Sequence, residues 1–475
     1  MPAAAAHPSP YSGTWYPADP SELRELLAQL FANSEKRTGF YPLPGGAAFV
    51  VPHAGLVYSG TVAASAYRHL ALQPPRRVVL LGFSHHGSPP GVGLPETEAY
   101  RTPLGEIPVD RDAVARLAAC RPFRPVPEAR LCDHSVEIQL PLLQHAAPGA
   151  TVVPLYVSHL EPAARAEAAR ALADLAGPGT VLVASSDFTH YGKDFRFQPF
   201  PNDASVAGRL QDLDKSVADA AGSLNPDLFL TELRASQATV CGYEPIALLL
   251  ATLRLLDARE EHFQELLDYQ TSGEITGDFS HSVSYAALGF FPYSSFHLSE
   301  EEQSLLLASA RATLANYQDS GQRTPVPPAR QTPALARRTS AFVTLHKQGE
   351  LRGCVGTASA SEPLSKIVPD MTLAAALEDT RFDRVSRTET GIDIEVSVLS
   401  PLKRIAGRGD FRVHLHGAML EAGFRRGLLL PQVATEYHWD AAQFFDALAR
   451  KSGARPSIYN DASTRLHVFR AQLIH

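Results

Sequence analysis

Four short apolar runs, at residues 47–52, 77–82, 151–157 and 180–184, constrain the first part of this chain more than any other feature. Each is rich in Val, Leu or Ala and reads as a buried strand. Helical stretches at 21–32, 61–70, 135–145 and 162–175 separate them. Strands that alternate with helices predict an α/β domain whose sheet is flanked by helices on both faces. A site in such a fold belongs beyond the strand ends, where short loops carry polar residues. A last run, residues 281–290, reads as a closing strand.

The character changes near residue 295. Ser299 and the three glutamates after it open a helix that runs to about Tyr317, with a capping serine and an acidic first turn. Residues 321–336 are rich in Pro, Arg and Thr and read as a loop; 342–346 and 392–399 read as strands, and 441–448 as a helix. At 475 residues the chain is too long for one ordinary core, so two or three domains are the prior; the change of character puts the divide at 294–298 and the domains at 8–294 and 297–473, the second a smaller α+β unit. A net charge of −7 argues against a nucleic-acid-coating protein. The longest apolar run, interrupted by Arg254, is too short to span a membrane. The first residues lack the basic and apolar segments of a secretory signal. Cys120, Cys132, Cys241 and Cys354 are widely spaced, without zinc-ribbon or thioredoxin spacing, which fits a reducing cytoplasm.

Three predicted strands end in histidine motifs: Val51-Pro52-His53-Ala54-Gly55, Gly82-Phe83-Ser84-His85-His86-Gly87 and Ser185-Ser186-Asp187-Phe188-Thr189-His190. Strand ends converge on one crevice in an α/β sheet, so these histidines can meet. Adjacent residues point different ways, so one of His85 and His86 enters the site. Asp133-His134-Ser135-Val136-Glu137 begins a helix, capped by Asp133 or Ser135. Cys241, before Gly242 and near Pro245, falls in an exposed turn. Taken singly, each histidine reads as structural or solvent-facing, and Cys241 as a small buried hydrophobe. Together they read as a metal site, since imidazole and thiolate suit Fe(II), Cu or Zn. His190 is available as general acid or base, with Asp187 to orient it.

Seven segments in order, Gly13 to Pro17, Pro52 to Gly55, Gly82 to His86, Tyr100 to Leu104, Asp133 to Glu137, Ser185 to His190 and Val283 to Ala287, resemble the Memo family over about residues 8–293. The resemblance implies the fold of class III extradiol (LigB-type) dioxygenases. It implies two histidines and a cysteine as metal ligands, at His53, His85 and Cys241, with the dioxygenase base at His190. A cysteine where the dioxygenases have a carboxylate favours iron or copper redox chemistry over ring cleavage. His134 then joins His190 and Asp187 in the chemistry, and Glu137 and Trp15 are expected to contact substrate.

In the second domain Leu351-Arg352-Gly353-Cys354-Val355-Gly356 stands out. Two glycines predict a tight loop, and Arg352 is placed to lower the Cys354 thiol pKa and to bind an anion. The bland alternative is that the glycines turn the chain and Cys354 packs in the core. With Glu378 to Phe382, Ile394 to Pro401 and Gly427 to Val433, the segment resembles the AMMECR-type domain over about 297–473. That family's usual Arg-Asp-Pro-Arg-Phe stands here as Glu378-Asp379-Thr380-Arg381-Phe382, without the proline. The paired resemblance implies an AmmeMemoRadiSam system with a separate radical SAM partner, since the chain has no Cys-x-x-x-Cys-x-x-Cys of its own. The expectation is a cytoplasmic iron- or copper-dependent redox protein, oxygenase-like, acting on a small molecule or peptide, with Cys354 a second reactive residue. Two alternatives stand beside it. One is a non-catalytic phosphopeptide- or anion-binding module, as eukaryotic Memo proteins suggest. The other is a zinc hydrolase.

Overall fold

The computed structural model describes residues 6–39, 42–87, 90–358, 362–461 and 463–475. The reading of residues 1–5 as lacking a signal lies outside them. The chain divides into two compact units, Met1–Ser295 and Phe296–His475.

Unit one holds β1 (Ala48–Val51), β2 (Arg77–Gly82), β3 (Val92–Pro95), β4 (Ala99–Thr102), β5 (Gly105–Pro108), β6 (Phe123–Val126), β7 (Thr151–Val157), β8 (Thr180–Ser185), β9 (His190–Gly192), β10 (His262–Thr271) and β11 (His281–Pro292). The main sheet runs β10-β11-β1-β8-β2-β7-β3-β6, with β9 on β11, while β4 and β5 form a separate hairpin. The central strands β1, β8, β2 and β7 are parallel. They are also the strands legible as unbroken apolar runs, buried on both faces. Antiparallel β11 and β10 extend the sheet beyond β1, and β3 is antiparallel to β7, so the sheet is mixed. Helix Leu56–Leu72 packs on β1, β10 and β11, and Tyr243–Asp257 packs on β1, β2, β7 and β8.

Three predicted helices differ in extent, and the one expected at 21–32 runs on to Thr38. The 61–70 helix starts earlier, at Leu56, where Gly55 caps it. The 135–145 helix is two segments, His134–Glu137 and Gln139–Ala146. Pro141 sits in the first turn of the second, where its missing N–H leaves no helical bond unmade.

Unit two pairs two antiparallel sheets. The first runs β13 (Glu350–Thr357), β12 (Ala341–Lys347), β14 (Ile392–Leu399), β19 (Ala471–Ile474). The second runs β15 (Lys403–Ile405), β18 (Arg465–Phe469), β16 (Gly417–Ala422), β17 (Arg425–Leu429). Helix Glu300–Ser320 carries the Ser299 and Glu302 capping box. Helix Leu364–Leu377 packs on β12 and β13. The expected loop at 351–356 is a strand instead. Its glycines serve close approach rather than a turn: a Cβ on Gly353 would lie 2.3 Å from the Ala375 carbonyl oxygen, and one on Gly356 would meet the Phe342 ring at 2.3 Å. Among the described residues, no helix is long and apolar enough to cross a membrane.

Candidate metal centre

Strands β1, β8 and β2 are neighbours and point the same way, so their carboxyl ends lie in a row. Each delivers a polar residue just past its end: His53 after β1, Asp187 after β8, His85 after β2. Cys241 comes from elsewhere, one residue before the Gly242 cap of helix Tyr243–Asp257. Two glycines admit the helices that complete the site. A Cβ on Gly242 would lie 2.6 Å from both the Ser185 carbonyl oxygen and the Ser186 Cβ. A Cβ on Gly82 would meet Ser135 Oγ at 2.6 Å. A methyl group at Gly242 would have to move the Ser185 backbone, and one at Gly82 the Ser135 and Val136 side chains.

The Cys241 Sγ lies 3.3 Å from His53 Nε2. One ligand atom from each of His53, His85 and Cys241 falls within 4.8 Å of the other two. An ion bonded at about 2.0–2.3 Å to nitrogen and sulfur holds its ligand atoms roughly 3.3–3.6 Å apart, so the set can close on one ion with small shifts. The far side of each ring is already engaged. His53 Nδ1 meets Ser185 Oγ at 3.1 Å. Ser185 Oγ also accepts from Gln139 Nε2 at 3.0 Å, and Tyr67 donates its hydroxyl to Gln139 at 3.1 Å. His85 Nδ1 meets Asp133 Oδ1 at 2.9 Å, and Asp133 Oδ2 takes the His85 backbone N–H at 2.9 Å. Such partners fix the tautomer that turns Nε2 inward, as in carboxylate–histidine–metal arrangements.

Electrostatics agree with a cation site. Burial, then the neighbouring His85, hold His53 down at about 3, so it is neutral at pH 7. Burial would raise Asp133, but the His85 hydrogen bond and His134 outweigh it and keep the carboxylate at about 2. Burial and then Asp187 push the Cys241 thiol far up. A metal ion reverses that cost by binding the thiolate. Two imidazoles with anchored Nδ1 atoms and one thiol without a cation form a donor set that fits a borderline or soft metal. His85, Asp133 and His134 form a second close group. There Asp133 is occupied by His85, which reads as support for the first set.

The remaining expected residues fall as follows. His134 stacks on His85 with ring centroids 4.1 Å apart, and Trp15 packs on His134 at 4.3 Å, so both line the centre. Burial holds His134 down at about 3. His190 is near, but Asp187 does not orient it. His190 Nδ1 faces the carbonyls of Phe188 and Thr239 at 2.9 and 3.0 Å. Asp187 instead accepts the backbone N–H groups of His53 and Ala54 at 2.8 and 3.3 Å, pinning the turn after β1. Glu137 is buried, and its Oε1 takes the Tyr16 hydroxyl at 2.7 Å, Ser9 Oγ at 2.9 Å and the Tyr11 N–H at 3.3 Å. That oxygen anchors the amino-terminal segment rather than facing a ligand. Cys241 is partly buried, not an exposed turn residue. His86 is the outward member of its doublet, with its side chain 74% exposed. Arg352 does not serve Cys354: its guanidinium is spent on both Glu389 oxygens, at 2.9 and 3.1 Å, and on the Asp383 carbonyl. Sequence reasoning gave Asp133 only a capping role and passed over Ser185 and Gln139.

A mixed α/β sheet with two strand-end histidines and a helix-end cysteine around one point defines a Memo-type fold with a candidate metal site. The family described as "Memo-like protein" matches residues 7–289, and the chain belongs to it; the family described as "AMMECR1" matches 307–474. A "MEMO1 family protein" of Methanopyrus kandleri is 33% identical over 292 residues, 59% of this chain and 96% of the relative. A "Protein memo-1 homolog" of Caenorhabditis elegans is 30% identical, covering 58% of this chain and 80% of the relative. A Methanothermobacter thermautotrophicus protein is 37% identical over 186 residues, 38% of this chain and 96% of its own length.

Proposed function

We propose that unit one is an iron- or copper-binding redox protein whose ion is held by His53, His85 and Cys241. The observation that carries this is the 3.3 Å approach of Cys241 Sγ to His53 Nε2, with both histidines fixed through their Nδ1 atoms. Bound there, such an ion supplies Lewis acidity and one-electron chemistry to whatever occupies its open side. The chain's own part is to exclude water with Phe83, Trp15 and His134, and to hold a proton at His190. His190 donates from Nδ1 to two carbonyls, which leaves Nε2 free to accept. The paired Memo-like and AMMECR1 regions support work alongside a separate radical SAM protein, and a cytoplasmic setting suits an oxidisable thiol.

The test is metal content by mass spectrometry after anaerobic purification. Wild type should carry close to one iron or copper per chain, and Cys241→Ala and His85→Ala should lose it. Full occupancy in either variant would sink the ligand assignment. A second reading, an anion- or peptide-binding module, draws on the aromatic wall that Tyr11 and Trp15 build over His134. Peptide or phosphate binding that survives metal stripping would favour it. Stoichiometric zinc with ester or amide turnover would instead favour the hydrolase.

A further inference from the structure

The loop after β8 and the segment ahead of helix Tyr243–Asp257 are joined at two points, each by a hydroxyl. At one, Ser186 Oγ accepts the Gly242 N–H at 2.8 Å and donates to the Asp187 carbonyl at 2.8 Å. At the other, Thr239 grips the backbone of His190 twice. Its Oγ1 accepts the His190 N–H at 2.8 Å and donates to the His190 carbonyl at 3.0 Å. Cys241 lies between the two clasps, its Sγ 3.8 Å from Ser186 Oγ and 3.5 Å from the Asp187 carbonyl.

The grip at Thr239 has a chemical result. It sets the Thr239 carbonyl 3.0 Å from His190 Nδ1, beside the Phe188 carbonyl at 2.9 Å. A carbonyl only accepts, so two of them at one ring nitrogen call for a proton there, and a neutral ring so fixed carries its lone pair on Nε2. The Phe188 carbonyl is two residues away and comes with the local turn. The Thr239 carbonyl comes from forty-nine residues along the chain, and the hydroxyl of the same residue keeps it in place. The backbone before His190 is fixed by other means. Asp214 Oδ1 takes the Thr189 N–H at 3.2 Å and its hydroxyl at 2.6 Å, and Asp214 Oδ2 takes the Tyr269 hydroxyl at 2.7 Å. Thr239 is therefore spare as a support for the chain and specific as a partner of the ring.

We propose that Thr239 is a positioning residue of the candidate centre, which makes His190 a proton acceptor at Nε2 and holds it in step with Cys241. The inference rests on the reading of His190 as the proton carrier beside the proposed ligands. It adds the direction of transfer. With Nδ1–H spent on two carbonyls, His190 takes a proton at Nε2 before it can give one, so it enters as a base and not as an acid.

The test reads the ring-nitrogen shifts of His190 by NMR in the full-length chain with isotope-labelled histidine, after a chelator has removed any ion. The signal is assigned by its loss in His190→Gln. Wild type should show a protonated Nδ1 and a bare Nε2. Thr239→Val keeps the branched shape and removes the hydroxyl, and there the ratio of the opposite tautomer to this one should rise about tenfold, the worth of one hydrogen bond. Thr239→Ser should restore the wild-type shifts. Ser186→Ala, which opens the other clasp, should leave them unchanged. A wild type protonated at Nε2 overturns the proposal outright. So do wild-type shifts in Thr239→Val, a change that serine does not restore, or the same change in Ser186→Ala. Metal content of unchelated samples keeps the two readings apart: a wild type without an ion sinks the ligand assignment, while the nitrogen shifts still decide the role of Thr239.

Discussion

At the residue scale the candidate metal centre depends on groups outside its proposed ligand set. Ser185 has two lone pairs, and it spends one on His53 Nδ1 and one on Gln139. In Ser185→Ala, His53 loses the partner that fixes its tautomer, and metal affinity should fall about 10–100-fold, measured by competition with a chelator of known affinity. Asp133→Asn should cost about as much through His85. The histidines themselves were legible in the sequence because each follows an apolar strand, and parallel strands share a carboxyl end. Their partners were not. Ser185 closes an apolar strand and reads as an ordinary strand end, and Asp133 beside Ser135 looks like an ordinary helix cap, which it also is. Nothing local to Arg352 announced Glu389, thirty-seven residues onward, so the arginine was wrongly assigned to the neighbouring thiol.

At the scale of elements, glycine decides how closely helices meet strand ends. Gly242→Ala puts a methyl group into Ser185 and Ser186, which must push Cys241 away from His53. The expected cost is about 1–3 kcal/mol, with metal binding lost before the fold, read by denaturant midpoint and metal content on one sample. The 351–356 segment was misread for a related reason. Two glycines in six residues signal a turn in isolation, and only the helix packed against Gly353 shows why a strand needs them. The same strand is tied by charge. Burial opposes ionisation of Glu389, but the Arg352 hydrogen bonds outweigh it and keep the carboxyl at about 2, against a usual 4.5. A carboxylate lowered on folding stabilises above its unfolded value and ceases to as pH falls through the folded one. Stability should therefore drop between about pH 4.5 and 2, and Glu389→Gln should show a shallower drop in denaturation at pH 5 and pH 3.

At the scale of the whole molecule, each unit closes its own core. The second is built around Phe411, Phe444, Phe445 and Leu448. A metal ion held by the proposed ligands would bind only the folded first unit, so it should raise that unit's transition alone. At a free concentration a hundred times the dissociation constant the gain is about 2.7 kcal/mol. Calorimetry with and without chelator should show one transition moving and one at rest. A single transition that shifts as a whole would mean the units unfold together.

The two closest donors of the centre, His53 and Cys241, lie 188 residues apart in the chain. A ribosome adding about 5–20 residues per second needs about 10–40 s to pass from one to the other. During that interval the emerging chain offers both histidines of the proposed set without Cys241, and its only thiols are those of Cys120 and Cys132. If the proposed ion binds there, the complete donor set exists only once Cys241, in the last third of the first unit, has been synthesised, and a cell short of that ion would meet the deficit as a finished but empty protein.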